Sequence, residues 1–320
     1  MKIYGAETTT DEVLEGVNLQ GRHFMVTGAS SGLGEETVRA LSSAGATVTM
    51  VARNSDKLDA AADRIRTSVP TTDLQTGLVD LADLSSIRSY AEEYLQEDAP
   101  IDVLINNAGV MACPFMTTKD GFEMQFGTNH LGHFALTGKL LGSLLGTSGS
   151  RVVNVASNAH RQGRLNFYDL QSVHRYGKMR AYAQSKLANL VFTAELDRRL
   201  RRAGREDILS VAAHPGMAES NIVKVDSNSM MQRYVGNVWE KAGPFICQTA
   251  EAGAIPTLRA ATDPGAKGND YFGPNHFLQI RGPAVKVKAK KEAHDVHDGR
   301  ALWDQSIELT GVDFQELGLP

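Results

Sequence analysis

His23-Phe24-Met25-Val26-Thr27, followed by Gly28-Ala29-Ser30-Ser31-Gly32-Leu33-Gly34, is the stretch on which the fold turns. The first five residues are mostly apolar and read as a buried strand, and the spacing from Gly32 to Ala44 predicts a helix. Three glycines stand at the joint. Glycine lets the backbone reverse tightly and approach a pyrophosphate, whose charge the N-terminus of the next helix then meets. Glycines also make ordinary turns, so the signal gains weight only from its strand–turn–helix setting. The spacing is G-x-x-x-G-x-G rather than G-x-G-x-x-G.

Outward from that joint the chain keeps alternating. Strands are predicted at Ala46–Ala52, Leu74–Val79, Ile101–Asn106, Arg151–Ser157 and Ile208–His214, with a last one at Asn269–Phe272. Between them the spacing predicts helices at Ser55–Val69 (with Ser55 as N-cap), Asp83–Gln96, His130–Leu145 and Met179–Arg202. Alternation of this kind implies βαβ units around a parallel sheet, whose strands read as continuous apolar runs because both faces are buried. The fold class is therefore α/β, a doubly wound parallel sheet with helices on both faces. One domain spans 1–320, with an N-terminal extension at 1–20, a loop-and-helix substrate lobe at 217–262 and a C-terminal tail at 281–320. Lys286, Lys288, Lys290 and Lys291 read as a solvated run, and Arg198, Arg199, Arg201 and Arg202 as a solvated helix end where cations suit the macrodipole.

Composition removes several classes of function. The 320 residues are 42% hydrophobic, ample for a core, with 33 Lys and Arg against 37 Asp and Glu. A net charge of −4 argues against a nucleic-acid partner. Cys113 and Cys247 are far apart and form no CxxC, so they read as reduced thiols. No run reaches the ~18–20 apolar residues of a membrane span, and Met1–Gly21 lacks the pattern of a signal peptide. A cytoplasmic location without a membrane anchor is expected. His130 and His133 lack a third ligand, as do His294 and His297; all four read as packing histidines, and no metal is expected.

Two local patterns carry chemistry. At the end of the second strand stands Ala52-Arg53-Asn54, with no acid before Asp56. A carboxylate there would bind a ribose 2′-hydroxyl, whereas the Arg53 guanidinium suits a 2′-phosphate, so NADP(H) is favoured while NAD(H) stays open. In the long helix, Tyr182 and Lys186 lie at i, i+4 on one face. A phenol titrates near 10, and a fixed positive charge beside it favours the phenolate. Ser157 closes the fifth strand at the carboxyl end of the sheet, where such folds place their sites.

Taken together, TGASSGLG, Asn106-Asn107-Ala108-Gly109, Ser157, YAQSK and His214-Pro215-Gly216 resemble the short-chain dehydrogenase/reductases, a Rossmann-type family, over about Leu19–Phe314. NHLGHF from Asn129, RVVNVASNAH, SKLANLVF and LTGVDF resemble its retinol-dehydrogenase-like and WW-domain-oxidoreductase-like branch. The resemblance implies Tyr182 as general acid/base, Lys186 as its electrostatic partner and ribose ligand, Ser157 on the substrate oxygen and Asn129 in a proton relay. It implies that Gly28, Ser30, Ser31, Gly32, Leu33 and Gly34 contact the cofactor, with Asp80 and Leu81 by the adenine. Asn107, Ala108 and Gly109 would border the ribose, and Pro215 and Gly216 the nicotinamide.

Between Ser157 and Tyr182 lie 24 residues, including Phe167, Tyr168 and Tyr176. This insert is expected to fold over the reacting carbon with Met111, Cys113 and Pro114 on one side and Met217 on the other, making an apolar pocket for a bulky ketone, aldehyde or alcohol. Hydride transfer between a carbonyl and an alcohol is the leading reading. An epimerase or dehydratase would carry a different glycine spacing, and a non-catalytic dinucleotide sensor or scaffold has no need of the full Asn129, Ser157, Tyr182 and Lys186 set. Homo-oligomerisation stays open.

Overall fold

The computed structural model describes residues 8–217, 248–276 and 278–318. Strands β1 (His23–Thr27), β2 (Thr47–Ala52), β3 (Asp73–Leu78), β4 (Val103–Asn106), β5 (Arg151–Val155), β6 (Leu209–Ala213), β7 (Tyr271–His276) and β8 (Arg281–Lys286) form one sheet in the order β3-β2-β1-β4-β5-β6-β7-β8. All neighbours are parallel except β7 and β8. The direction of winding reverses between β1 and β4, and that reversal opens a crevice at their carboxyl ends. β1, β4 and β5 are buried along their whole length, as their apolar runs require.

One face of the sheet is covered by α1 (Thr10–Leu14), α2 (Gly32–Ser43), α3 (Ser55–Ser68) and a helix at Ala250–Thr262. The other carries α4 (Leu84–Gln96), two shorter helices at Gly132–Lys139 and Leu141–Gly146, the 25-residue helix Lys178–Arg202 and the helix Val296–Thr310. With the single turn Met124–Phe126 as α5, these five later helices are, in chain order, α6 (Gly132–Lys139), α7 (Leu141–Gly146), α8 (Lys178–Arg202), α9 (Ala250–Thr262) and α10 (Val296–Thr310).

Several expectations need correction. Asn54, not Ser55, caps α3: its Oδ1 accepts from Lys57 N at 2.9 Å. The helix expected at His130–Leu145 is three pieces, because its start belongs to the π-helical turn Gly127–Leu131, α6 follows, and α7 begins after Leu140. β8 has no apolar alternation, and Gly282 and Pro283 read as a turn; the structure tolerates them because this strand is the sheet edge.

The terminal segments are not appendages. Val13, Leu14 and Leu19 of the extension are buried against α2 and α9. In the tail, α10 packs on α8 through Gly299, Leu302, Trp303, Ser306 and Thr310. Small and polar residues on that inner face hide its periodicity from a hydropathy reading. Of the lobe, 218–247 lie outside the described residues, and α9 is a sheet-covering helix.

The cationic runs are only partly solvated. Arg199 lies 4.3 Å from the Trp303 ring and donates to Glu195, which also pairs with Arg198, while Arg201 pairs with Asp197. Lys286 bonds Asp270 and Gly265 O, and Lys290 bonds Gly163 O. His294 and His297 are exposed rather than packed. Asp295, His297 and Asp298 place three ligand atoms within 4.8 Å of one another, but Asp295 is the N-cap of α10 and the group is solvent-facing.

Trp303 is 2% exposed, with the rings of Phe134, Phe192 and Phe314 at 5.2, 5.9 and 4.5 Å. Trp303→Ala is expected to lower stability by about 3–5 kcal/mol, read as a lower denaturant midpoint in far-UV dichroism. An unchanged midpoint would show that α10 adds nothing to the fold.

Candidate active site

The turns after β1 and β4 meet across the crevice. Thr27 Oγ1 accepts from Asn107 N at 2.9 Å and Ala108 N at 3.0 Å, while Asn107 Nδ2 donates to Thr27 O at 2.8 Å. Gly28 has φ +68°, and a Cβ there would stand 2.8 Å from the Ala108 Cα. A Cβ on Gly34 would stand 2.3 Å from Gly28 O, so the helix can start this close to the turn only as glycine. Ser31, at the head of α2, makes no side-chain cap. The first N–H groups of that helix are thus uncapped by its hydroxyl, flanked by Ser30, Gly32 and Leu33 at intermediate exposure. Arg53 is exposed at the end of β2 and has no carboxylate partner among the described residues. Asp80 is turned inward on its own loop, its Oδ1 accepting from Ala82 N at 2.9 Å, and Leu81 packs against Gly132.

The reactive side chains converge at the ends of β4 and β5. Ser157 follows β5 and caps the short 3-10 turn Asn158–Gln162, its Oγ accepting from Ala159 N at 3.2 Å. It stands close enough to the Tyr182 phenol to lower its value. Lys186 lies one turn along α8, 5.9 Å from the Tyr182 ring centroid, and Nζ donates to Val155 O at 2.9 Å. A Cβ on Gly109 would fall 3.1 Å from Asn129 Oδ1 and 3.4 Å from Lys186 Nζ, which brings the β4 turn, the π-helical turn and α8 together. Asn129 is fully buried inside that π turn, neither a helix start nor an ordinary turn; Nδ2 donates to Val110 O and Ser185 Oγ, and Oδ1 accepts from Val110 N.

Electrostatically, the pair is dominated by burial. Burial raises the Tyr182 phenol above its usual value, and Ser157 beside it works against that. Burial pushes Lys186 down to about 8. Loss of water thus raises the phenol where a lowering by Lys186 was expected.

A model of the short-chain dehydrogenase family matches residues 22–230. The chain is 39% identical over 93% of its length to human retinol dehydrogenase 12 (89% of that protein), and 38% identical over 92% to human retinol dehydrogenase 11 (88% of that protein). A protein from Mycobacterium paratuberculosis of known structure superposes with a TM-score of 0.76 at 40% identity, covering 93% of this chain and 96% of that one. The Pseudomonas aeruginosa RhlG/NADP complex shares the fold, with a TM-score of 0.60 at 24% identity over 79% of this chain and 94% of that one.

The chain belongs to the short-chain dehydrogenase family. It falls in the retinol-dehydrogenase-like branch, as a nicotinamide-dependent oxidoreductase acting on alcohol and carbonyl groups. The insert after Ser157 in this dehydrogenase is anchored on its inner side. The Tyr176 hydroxyl donates to Cys113 O at 2.8 Å and accepts from Gln125 Nε2 at 2.9 Å, so the insert is stitched to the loop after β4. Cys113 is buried, which pushes its thiol up, and Met111 is half-buried. Tyr168 does not line a pocket: it is 99% exposed, while Phe167 packs on the core. Opposite, Met217 N donates to Ile280 O at 2.8 Å, Gly216 N to His214 Nδ1 at 3.2 Å, and Gln248 Nε2 to Pro215 O at 2.9 Å.

Sequence reasoning overlooked the supports of the dehydrogenase site. His133 Nδ1 donates to Asn129 O at 3.0 Å, which leaves Nε2 to accept from the Thr27 hydroxyl at 2.9 Å. His160 Nδ1 donates to Ser157 O at 2.7 Å, and Nε2 accepts from Lys290 N at 3.2 Å. Burial holds both rings neutral, near 4. His130 is a packing residue as expected, bonded to Ser306 Oγ. Each has one local partner, Asn129 O or Ser157 O, but the second, Thr27 or Lys290, is distant in the chain, and spacing alone does not identify the support.

Lys186 also sets a pH dependence of stability. Its folded value, about 8, lies below the unfolded 10.5, so between the two the unfolded chain binds more protons and stability rises with pH. Lys186→Met is expected to stabilise the protein at neutral pH by about 2–3 kcal/mol, with the gain shrinking toward pH 10. Denaturant midpoints across that pH range test this, and a destabilised variant at pH 7 would refute it.

Proposed function

We propose that this dehydrogenase interconverts a bulky hydrophobic ketone or aldehyde and its alcohol with NADP(H), Tyr182 serving as general acid/base. The observation that carries the reading is the convergence of Ser157, Tyr182 and the buried Lys186 at the carboxyl end of β5. The relatives named retinol dehydrogenase 11 and 12 support a large apolar substrate.

The glycine joint fits a dinucleotide: the close approach at Gly28 and Gly34 and the uncapped start of α2 leave backbone N–H groups for a diphosphate. Arg53 would meet a 2′-phosphate, and no carboxylate pairs with it among the described residues. When bound, the cofactor supplies or accepts the hydride. The chain's own residues handle the proton. Tyr182 Oη gives it to the carbonyl oxygen in reduction and takes it from the hydroxyl in oxidation. Ser157 Oγ hydrogen-bonds the same substrate oxygen and holds it in line with the phenol. A Lys186 ammonium favours the phenolate when the proton has left. Asn129, held by Val110, Ser185 and His133, would help hold a relay water.

NADPH and NADH oxidation against carbonyls graded in size and polarity tests the proposal. Turnover is expected with NADPH and to rise with apolar bulk. Tyr182→Phe should reduce it on the order of a thousandfold while dinucleotide binding is retained. Arg53→Glu should shift preference toward NADH by roughly tenfold or more. Retained turnover in Tyr182→Phe would refute the acid/base assignment, and better turnover of small polar carbonyls would refute the substrate class.

A further inference from the structure

The peptide that joins Pro215 to Gly216 is gripped on both of its polar atoms by side chains. Its carbonyl, Pro215 O, accepts from Gln248 Nε2 at 2.9 Å, and its amide, Gly216 N, donates to His214 Nδ1 at 3.2 Å. Proline followed by a glycine at φ +70° is the pattern of a type II turn, and types I and II differ by the orientation of that central peptide. An acceptor on the amide and a donor on the carbonyl together hold one of the two orientations.

The acceptor keeps its polarity because it is buried. His214 is fully buried, its ring 5.1 Å from that of Tyr271, and burial pushes it down to about 3, so it stays neutral and Nδ1 stays an acceptor. A Cβ on Gly273 would collide with His214 Nε2, so β7 passes the ring only as glycine. The ring proton then lies on Nε2, which has no hydrogen-bond partner among the described residues. An unpaired buried N–H opposes stability, and an apolar side chain would not carry one. What the imidazole supplies in return is the bond to Gly216.

Gln248 reaches further. Its Oε1 accepts from Gly282 N at 3.2 Å and its main-chain N donates to Met217 O at 2.7 Å, while Met217 N donates to Ile280 O at 2.8 Å. A Cβ on Gly216 would collide with Ile280 O. The turn after β6 is therefore braced on the turn between β7 and β8, the antiparallel edge of the sheet.

We propose that His214 and Gln248 are positioning residues that fix the Pro215–Gly216 peptide for the nicotinamide end of the dinucleotide. The inference rests on the proposed cofactor reading, in which Pro215 and Gly216 border that ring. A peptide already held in one orientation spares the ordering that binding otherwise has to supply. The effect is confined to one end of the cofactor, because the glycine joint after β1 and Arg53 after β2 are separated from this turn by β4 and β5.

Calorimetric titration of the full chain tests it with ligand pairs that differ only in the nicotinamide: NADPH against ADP-ribose 2′-phosphate, and NADH against ADP-ribose. His214→Leu and Gln248→Leu are each expected to weaken the nicotinamide-bearing ligand about tenfold and to leave its truncated partner unchanged, with unchanged far-UV dichroism. His214→Asn is expected to recover most of the affinity, because an asparagine Oδ1 lies where Nδ1 lies and accepts from Gly216 N. Gln248→Glu, with no donor for Pro215 O, is not. Equal weakening of both members of a pair, no weakening, or no recovery in His214→Asn overturns the proposal and leaves the dinucleotide reading in place. If the unaltered chain binds neither member of either pair, both fall. Should His214→Leu fail to fold, Gln248→Leu, at a half-buried position, decides alone.

Discussion

The hydroxyl of Thr27 is the point on which the site depends. It accepts from two backbone amides of the β4 turn and donates to His133, whose other nitrogen donates to the carbonyl of Asn129. A single oxygen therefore ties the glycine turn after β1, the asparagine turn after β4 and the π-helical turn into one rigid crevice floor. Thr27, His133 and Asn129 are buried, and an unpaired donor or acceptor there would cost about 1–3 kcal/mol. The complete pairing makes the arrangement specific as well as stable.

On that floor the fold supports chemistry that is unfavourable for stability. Tyr182 and Lys186 lose water together, and burial works against the charged form of each. The energy that tolerates this comes from the sheet and from α8, buried continuously from Ala181 to Asp197 between the sheet and α10. Ser157 is likewise held from behind: His160 grips its carbonyl and is itself gripped by the backbone of Lys290. Rotamers fixed in this way keep the reacting oxygens in register.

The two faces of the molecule have different work. The face formed by α1, α2, α3 and α9 is a sealed apolar layer, and the aromatic cluster of Phe134, Phe192, Trp303 and Phe314 seals the other. Irregular structure is concentrated at the carboxyl edge, where the insert and the loop after β4 meet through Tyr176. Loops there can vary in composition without cost to the core.

The alternation of apolar runs and helical spacing determined the α/β class, the sequence positions of seven of the strands and the meaning of the glycine joint, because these depend on backbone propensity and local periodicity. Tyr182, Lys186 and Ser157 were legible for the same reason: two share a helix face, and the third ends a strand. What only the tertiary structure decided involves partners far apart in the chain. The contacts of His133 with Thr27 and of His160 with Lys290, α10 as the cover of α8 and β8 as an edge strand lie beyond any local window. The electrostatics belong to that second group, since the balance at Tyr182 is set by how much water the whole fold excludes.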